Sequence, residues 1–151
     1  RPAREDVGRR GDLPIVEIPV SVGLTRRLPA FLQRAYVHLP AATHLRGLLS
    51  RDHLGLVDYA WLYPVRFDLE LMQKTVATLV EGGASVLNVF LHSSELVPGQ
   101  SGRVQSHDDV EQVFARLAGI LQFCLERHGA EPCTLGEAGR ALGPALGLAR
   151  P

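Results

Sequence analysis

The feature that most constrains the fold is the apolar segment Ser85–Leu91, which follows a helical pattern closed by Gly82 and Gly83. It reads Ser-Val-Leu-Asn-Val-Phe-Leu, so apolar residues occupy positions on both faces of a strand. A strand buried on both faces is typical of a parallel sheet that helices cover or that closes into a barrel. The segment therefore predicts a buried parallel strand within an α/β domain.

Three other segments predict strands separated by helical patterns. Residues 14–22 alternate, with Glu17 and Ser21 on the less apolar face, while residues 59–63 and 131–134 are shorter. Alternating strands and helices predict about four parallel strands with flanking helices. A full barrel of eight units takes about 250 residues, so the chain predicts either a small open α/β sheet or a partial (β/α) barrel.

Capping signals delimit three helices. Asp68 precedes the first, a capping box at 106–109 begins the second, and another at 134–137 begins the third. Gly129 ends the second helix. A looser helical pattern covers residues 28–39.

These patterns predict one domain with two short flanks. Residues 1–12 are charged and lack periodicity, residues 13–146 form the α/β domain, and residues 147–151 form a tail. The chain opens at Arg1 rather than methionine, and we expect an incomplete polypeptide.

Charge and hydropathy exclude two classes of partner. The formal net charge is zero, so no overall field attracts nucleic acid. No apolar run approaches the roughly 18 residues that a membrane-spanning helix needs; the segment 86–91 is six residues long and Asn88 interrupts it, so we predict no transmembrane segment.

Candidate functional residues follow the predicted strands, where loops of α/β proteins carry chemistry. His92 leaves the apolar strand and precedes Glu95 in the next loop. This position predicts that His92 is either a general acid or base, or a residue that only hydrogen-bonds the loop and caps the strand. Near the second strand, Trp61 could stack on a sugar ring and Arg66 could bind an anionic group or a hydroxyl. A core tryptophan and a solvated arginine remain the alternatives.

The segment Leu87–Gly99, Leu-Asn-Val-Phe-Leu-His-Ser-Ser-Glu-Leu-Val-Pro-Gly, resembles the late motif of polysaccharide deacetylases. These are the NodB-homology enzymes of carbohydrate esterase family four. Residues 15–21 are similar to a segment that follows their metal-binding half, and residues 134–137 fit their closing segment. The resemblance covers about residues 13–143.

The resemblance implies a distorted (β/α) barrel and a carbohydrate substrate whose N-acetyl groups are hydrolysed with the help of zinc or another divalent metal. It implies that His92 protonates the departing amine and that Leu91 and Leu96 line the acetyl pocket. Trp61, Arg66 and Glu95 complete the expected substrate-binding residues. A bacterial cytoplasm or cell envelope is the expected compartment.

The chain departs from the family at the metal site. The Asp-Asp pair after an early strand and the His-x-x-x-His segment are missing, and the acidic pair at 108–109 opens a helix instead. We therefore expect the C-terminal part of a deacetylase-like protein, without a metal of its own and inactive alone. The alternative is a non-catalytic α/β module that binds glycan or a partner. Exposed strand edges of a partial barrel also predict a possible homodimer.

Overall fold

The computed structural model describes residues 16–29, 31–32, 38 and 58–143. The chain divides into two compact units. The larger spans Val20–Gly129, and the smaller includes the described residues 16–19 and 130–143. All candidate functional residues lie in the larger unit.

The larger unit contains a short antiparallel sheet. Strand β1 (Val22–Leu24) pairs with β2 (Tyr59–Trp61), so that Val22 lies opposite Trp61 and Leu24 opposite Tyr59. The prediction of about four parallel strands in a partial distorted (β/α) barrel is wrong, because the strands in the described ranges are these two and they run antiparallel. The described residues form a small mixed α/β fold.

The segment 86–91 is the clearest departure, since it forms no strand. The Ser21 amide donates to the Asn88 carbonyl over 3.1 Å, but the Asn88 amide donates to the Ser21 hydroxyl over 2.8 Å. The Ser21 side chain thus accepts a hydrogen bond that a backbone carbonyl would accept in a strand ladder. Such bonds from side chains to the backbone compete with regular strand pairing. One further backbone bond, from Phe90 N–H to the Leu62 carbonyl (3.2 Å), holds the segment beside β2.

The other predicted strands are shortened or missing. Of residues 14–22, those at 16–21 are not in a strand, and β1 begins only at Val22, three residues after Pro19, which has no amide to donate. Residues 131–134 form no strand, because Thr134 caps the following helix instead.

The three capped helices are confirmed. Helix α1 is Leu69–Glu81, α2 is His107–His128 and α3, in the smaller unit, is Leu135–Leu142. The Asp68 carboxylate accepts from the Leu71 amide over 2.8 Å, and both predicted capping boxes form. Of the pattern at 28–39, the described residues Phe31, Leu32 and His38 are helical, and most of the others lie outside the described part.

Helices α1 and α2 pack closely at Gly119. A Cβ atom at this position would lie 2.7 Å from Leu69 Cδ2, so the leucine occupies the space that a larger residue would fill. Nearby, Met72, Val76 and Ile120 are fully buried. The absence of a side chain at Gly119 therefore sets how near the two helices come.

No helix within the described ranges combines the length and the apolar character needed to cross a membrane. For these residues, the prediction of no transmembrane segment is confirmed.

We predict that Ser21→Ala destabilises the fold by about 1–3 kcal/mol, because it removes the hydroxyl that accepts from the Asn88 amide in a partly buried place. Ser21 is only 8% exposed. Urea unfolding measures the change, and the matched control is Ser85→Ala, whose exposed side chain should cost less than about 0.5 kcal/mol. Equal stability of the two variants would contradict a structural role for the Ser21 hydroxyl.

Candidate functional site

Four rings form a continuous row at the carboxyl end of β2, which we call the aromatic row: Trp61, Tyr63, Phe90 and His92. Each segment supplies two residues in alternate positions. Alternate residues of extended chain lie on the same side, and the bond from Phe90 N–H to Leu62 holds the two segments side by side. The row therefore follows from backbone pairing without a complete strand ladder.

Phe90 lies at the centre of the aromatic row. It stacks on Tyr63 with ring centroids 4.6 Å apart and an interplanar angle of 10°. Trp61 is tilted against Phe90 at 6.1 Å, and the tryptophan remains 37% exposed. The His92 ring meets Phe90 edge-on at 5.9 Å and Tyr63 edge-on at 6.3 Å. Offset and edge-on geometries are the favourable ones for aromatic pairs.

A buried carboxylate, Glu95, holds the end of the row. It is 6% exposed, and its Oε1 accepts a hydrogen bond from the Tyr63 hydroxyl. Its Oε2 accepts from the His92 amide over 2.9 Å, while the Glu95 amide donates to the His92 carbonyl over 2.9 Å. These bonds close the 3-10 turn Ser93–Leu96 directly after His92. Glu95 therefore positions both Tyr63 and His92.

The phenol of Tyr63 is held in its neutral form. Burial is the main cause that raises its pKa to about 12, followed by the hydrogen bond to Glu95 and the negative charge of that carboxylate. The positive charges of Arg103 and Arg66 act in the opposite direction. Tyr63 is therefore a hydrogen-bond donor to Glu95 at neutral pH.

His92 has an exposed side chain on a fixed backbone. Within the described part of the chain its exposed imidazole meets the Tyr63 and Phe90 rings edge-on. The His92 carbonyl accepts from the Glu95 amide at the start of the following 3-10 turn, whereas the strand that His92 was expected to cap does not form. That leaves the imidazole itself for binding or proton transfer.

The remaining predicted residues have different surroundings. Leu91 and Leu96 pack, together with Tyr63, against the buried cluster of Val65, Val104 and Val113. Arg66 is exposed in the turn after β2, and its guanidinium lies 5.3 Å from the centroid of the Phe67 ring. A cation over an aromatic face is weakly attracted to it.

Sequence reasoning missed Tyr63 and Phe90 as site residues. The available signal was the repeated spacing: an aromatic ring stands two residues after Trp61 and another two residues before His92. The pair Trp61 and Tyr63 and the pair Phe90 and His92 predict a shared surface only if their two segments lie side by side. The incorrect prediction of a parallel sheet did not reveal that they do.

The described residues do not fit the divalent metal that the resemblance implies. They contain no group of three or more histidine, cysteine, aspartate or glutamate side chains placed to hold an ion. Glu95, the carboxylate nearest to His92 in this site, already uses both oxygens for internal bonds. We derive no catalytic step through a metal from these residues.

Comparison with protein-family models, with curated proteins and with solved structures gave no match to this chain. The deacetylase resemblance therefore stays a prediction from the motif at 87–99.

We predict that Glu95→Gln lowers the pKa of Tyr63 from about 12 but leaves it above its ordinary value of 10.0, because burial remains. Ultraviolet difference titration measures this, with Tyr63→Phe subtracted to isolate one tyrosine. An unchanged pKa in Glu95→Gln would show that the carboxylate does not act on the phenol.

The same shift makes stability pH-dependent. Since the folded pKa is raised, the contribution of Tyr63 is complete below pH 10.0 and is lost as the pH rises through about 12. Wild-type protein should therefore lose more stability than Tyr63→Phe across that window in urea unfolding.

Proposed function

We propose that the aromatic row is a carbohydrate-binding face, and that it acts in a polysaccharide deacetylase-like protein with His92 next to the N-acetyl group. The observation that carries the proposal is the exposed His92 imidazole at the end of a row of rings, on a backbone that the buried Glu95 fixes. The sequence motif around His92 supplies the link to deacetylases.

Physical chemistry supports sugar binding at this face. Sugar rings present C–H faces with hydroxyl edges, and a row of aromatic rings flanked by polar groups complements both. Small-molecule sites generally combine aromatic lining with a few positioned polar groups. Trp61 offers an accessible ring, while His92 offers donors and acceptors at the other end. Arg66 follows β2 and could bind a sugar hydroxyl.

The proposed part of His92 in hydrolysis is proton donation. When the amide C–N bond breaks, the sugar nitrogen leaves as an amine only after it gains a proton, and an exposed protonated imidazole can donate one. Glu95 and Tyr63 are positioning residues in this scheme, because they act through the backbone and ring of His92. The nucleophile and its activation lie outside what the described residues provide.

We predict that oligomers of N-acetylglucosamine change the fluorescence of Trp61, the only tryptophan in the chain. A dissociation constant near 1 mM would correspond to about −4 kcal/mol. Oligomers of glucosamine without acetyl groups should bind more weakly. No response at millimolar sugar would contradict the proposal.

Two variants separate the parts of the proposed site. Phe90→Leu removes the central ring but keeps apolar bulk, and His92→Ala removes the imidazole; each should weaken binding by about fivefold or more, or roughly 1 kcal/mol. Phe114→Leu is the control, because Phe114 is another exposed aromatic residue (49%) on α2. Equal loss in all three variants would show that the response is not specific to the aromatic row.

A further inference from the structure

A cavity lies beside the β1–β2 sheet and is lined by all three residues of β1 and by Tyr59 of β2. There Leu24 of β1 is paired with Tyr59 of β2, and the chain after β1 meets the end of α1. The cavity has a volume of about 700 Å³. Small-molecule sites commonly enclose about 300–1,000 Å³, so this cavity has room for a ligand of that class.

Two consecutive arginines line this cavity, Arg26 and Arg27. Both are exposed, and neither forms an ion pair or hydrogen bond with another described residue. The lining residues that the structure describes include no aspartate or glutamate, although Asp58 and Glu81 directly precede the lining residues Tyr59 and Gly82. The described lining therefore holds two guanidinium charges and no carboxylate.

The backbone that carries the arginines is anchored. Thr25 N–H donates to the Asp58 carbonyl over 2.9 Å, and the Asp58 amide donates to the Thr25 hydroxyl over 3.0 Å. The chain bends at 25–26 directly after β1. A straight strand would place consecutive residues on opposite faces, whereas this bend lets both arginines line one cavity. The backbone directly before both arginines is therefore held in place by Asp58.

The facing wall carries the weak negative end of the α1 helix dipole, which the amides that cap the helix partly offset. It includes the end of α1, where the amides of Gly82, Gly83 and Ala84 already donate to carbonyls of the last helical turn at 2.9–3.0 Å. Tyr59, 50% exposed, and Leu79 supply ring and aliphatic surface. One side of the cavity is therefore cationic and another offers apolar contact.

We propose that this cavity binds a soluble phosphate monoester whose organic part is about the size of a sugar ring. Such a phosphate carries about −1.5 to −2 charges at pH 7, which two guanidiniums match, whereas one carboxylate carries a single charge. Guanidinium forks also suit the geometry of phosphate oxygens. The organic part would contact Tyr59 and Leu79. This site is independent of the proposed carbohydrate face.

Isothermal titration calorimetry of the full chain in phosphate-free, low-salt buffer tests the proposal with glucose 6-phosphate, inorganic phosphate and glucuronate. We expect glucose 6-phosphate to bind tightest and to weaken as salt is added. The double variant Arg26→Gln/Arg27→Gln should weaken it by about tenfold or more, as loss of charged hydrogen bonds predicts. Arg103→Gln/Arg127→Gln changes net charge equally and should change binding less than about twofold.

Amide chemical shifts in wild-type protein provide a test that needs no variant. Addition of glucose 6-phosphate should move the signals of Gly82, Gly83 and Ala84, which line the cavity. Equal binding by both double variants, or shifts that avoid these residues, would overturn the proposal. Binding to phosphatidic acid vesicles without binding to the soluble monoester would overturn it as well, because the ligand would then be a lipid surface.

Discussion

The polar junction at Ser21 is the interaction on which the larger unit depends. The amide and hydroxyl of this residue hold both backbone groups of Asn88, and its carbonyl accepts from Leu62 N–H over 2.9 Å. One residue therefore joins the start of β1, the end of β2 and the segment that carries Phe90 and His92. In a mostly buried place such bonds cannot be exchanged for water without cost, so the junction fixes which segments are neighbours.

The aromatic row follows from this junction together with one buried charge. The hydrogen bond between Phe90 N–H and the Leu62 carbonyl brings Trp61 and Tyr63 to the same side as Phe90 and His92. Glu95 then restrains Tyr63 and His92. A carboxylate buried this deeply requires donors to offset its lost hydration. Tyr63 and the His92 backbone provide them, so the cost of burying Glu95 is met by bonds that also orient the site.

Local signals in the sequence predicted the helices, but they do not show which distant segments of the chain pair with one another. Asp68, Ser106 and Thr134 each bond to amides within three residues, so their capping could be recognised from neighbouring residues alone. The run at 86–91 is apolar enough for a strand, but hydropathy does not reveal that a serine hydroxyl more than sixty positions earlier takes one of its backbone bonds. His92 and Trp61 were singled out by position and residue type. Tyr63 and Phe90 were missed, because their relation depends on that distant contact.

The close approach at Gly119 has a consequence for how this unit tolerates change. Leu69 fills the notch on α2, and only a short turn separates Leu69 from Tyr63, with the Tyr63 carbonyl accepting from the amides of Arg66 and Phe67 over 3.1 and 3.0 Å. A methyl group at 119 would push first on Leu69 and then on that turn. A substitution at Gly119 would thus act on the turn that carries Tyr63 through steric displacement alone, without a direct contact with the aromatic row.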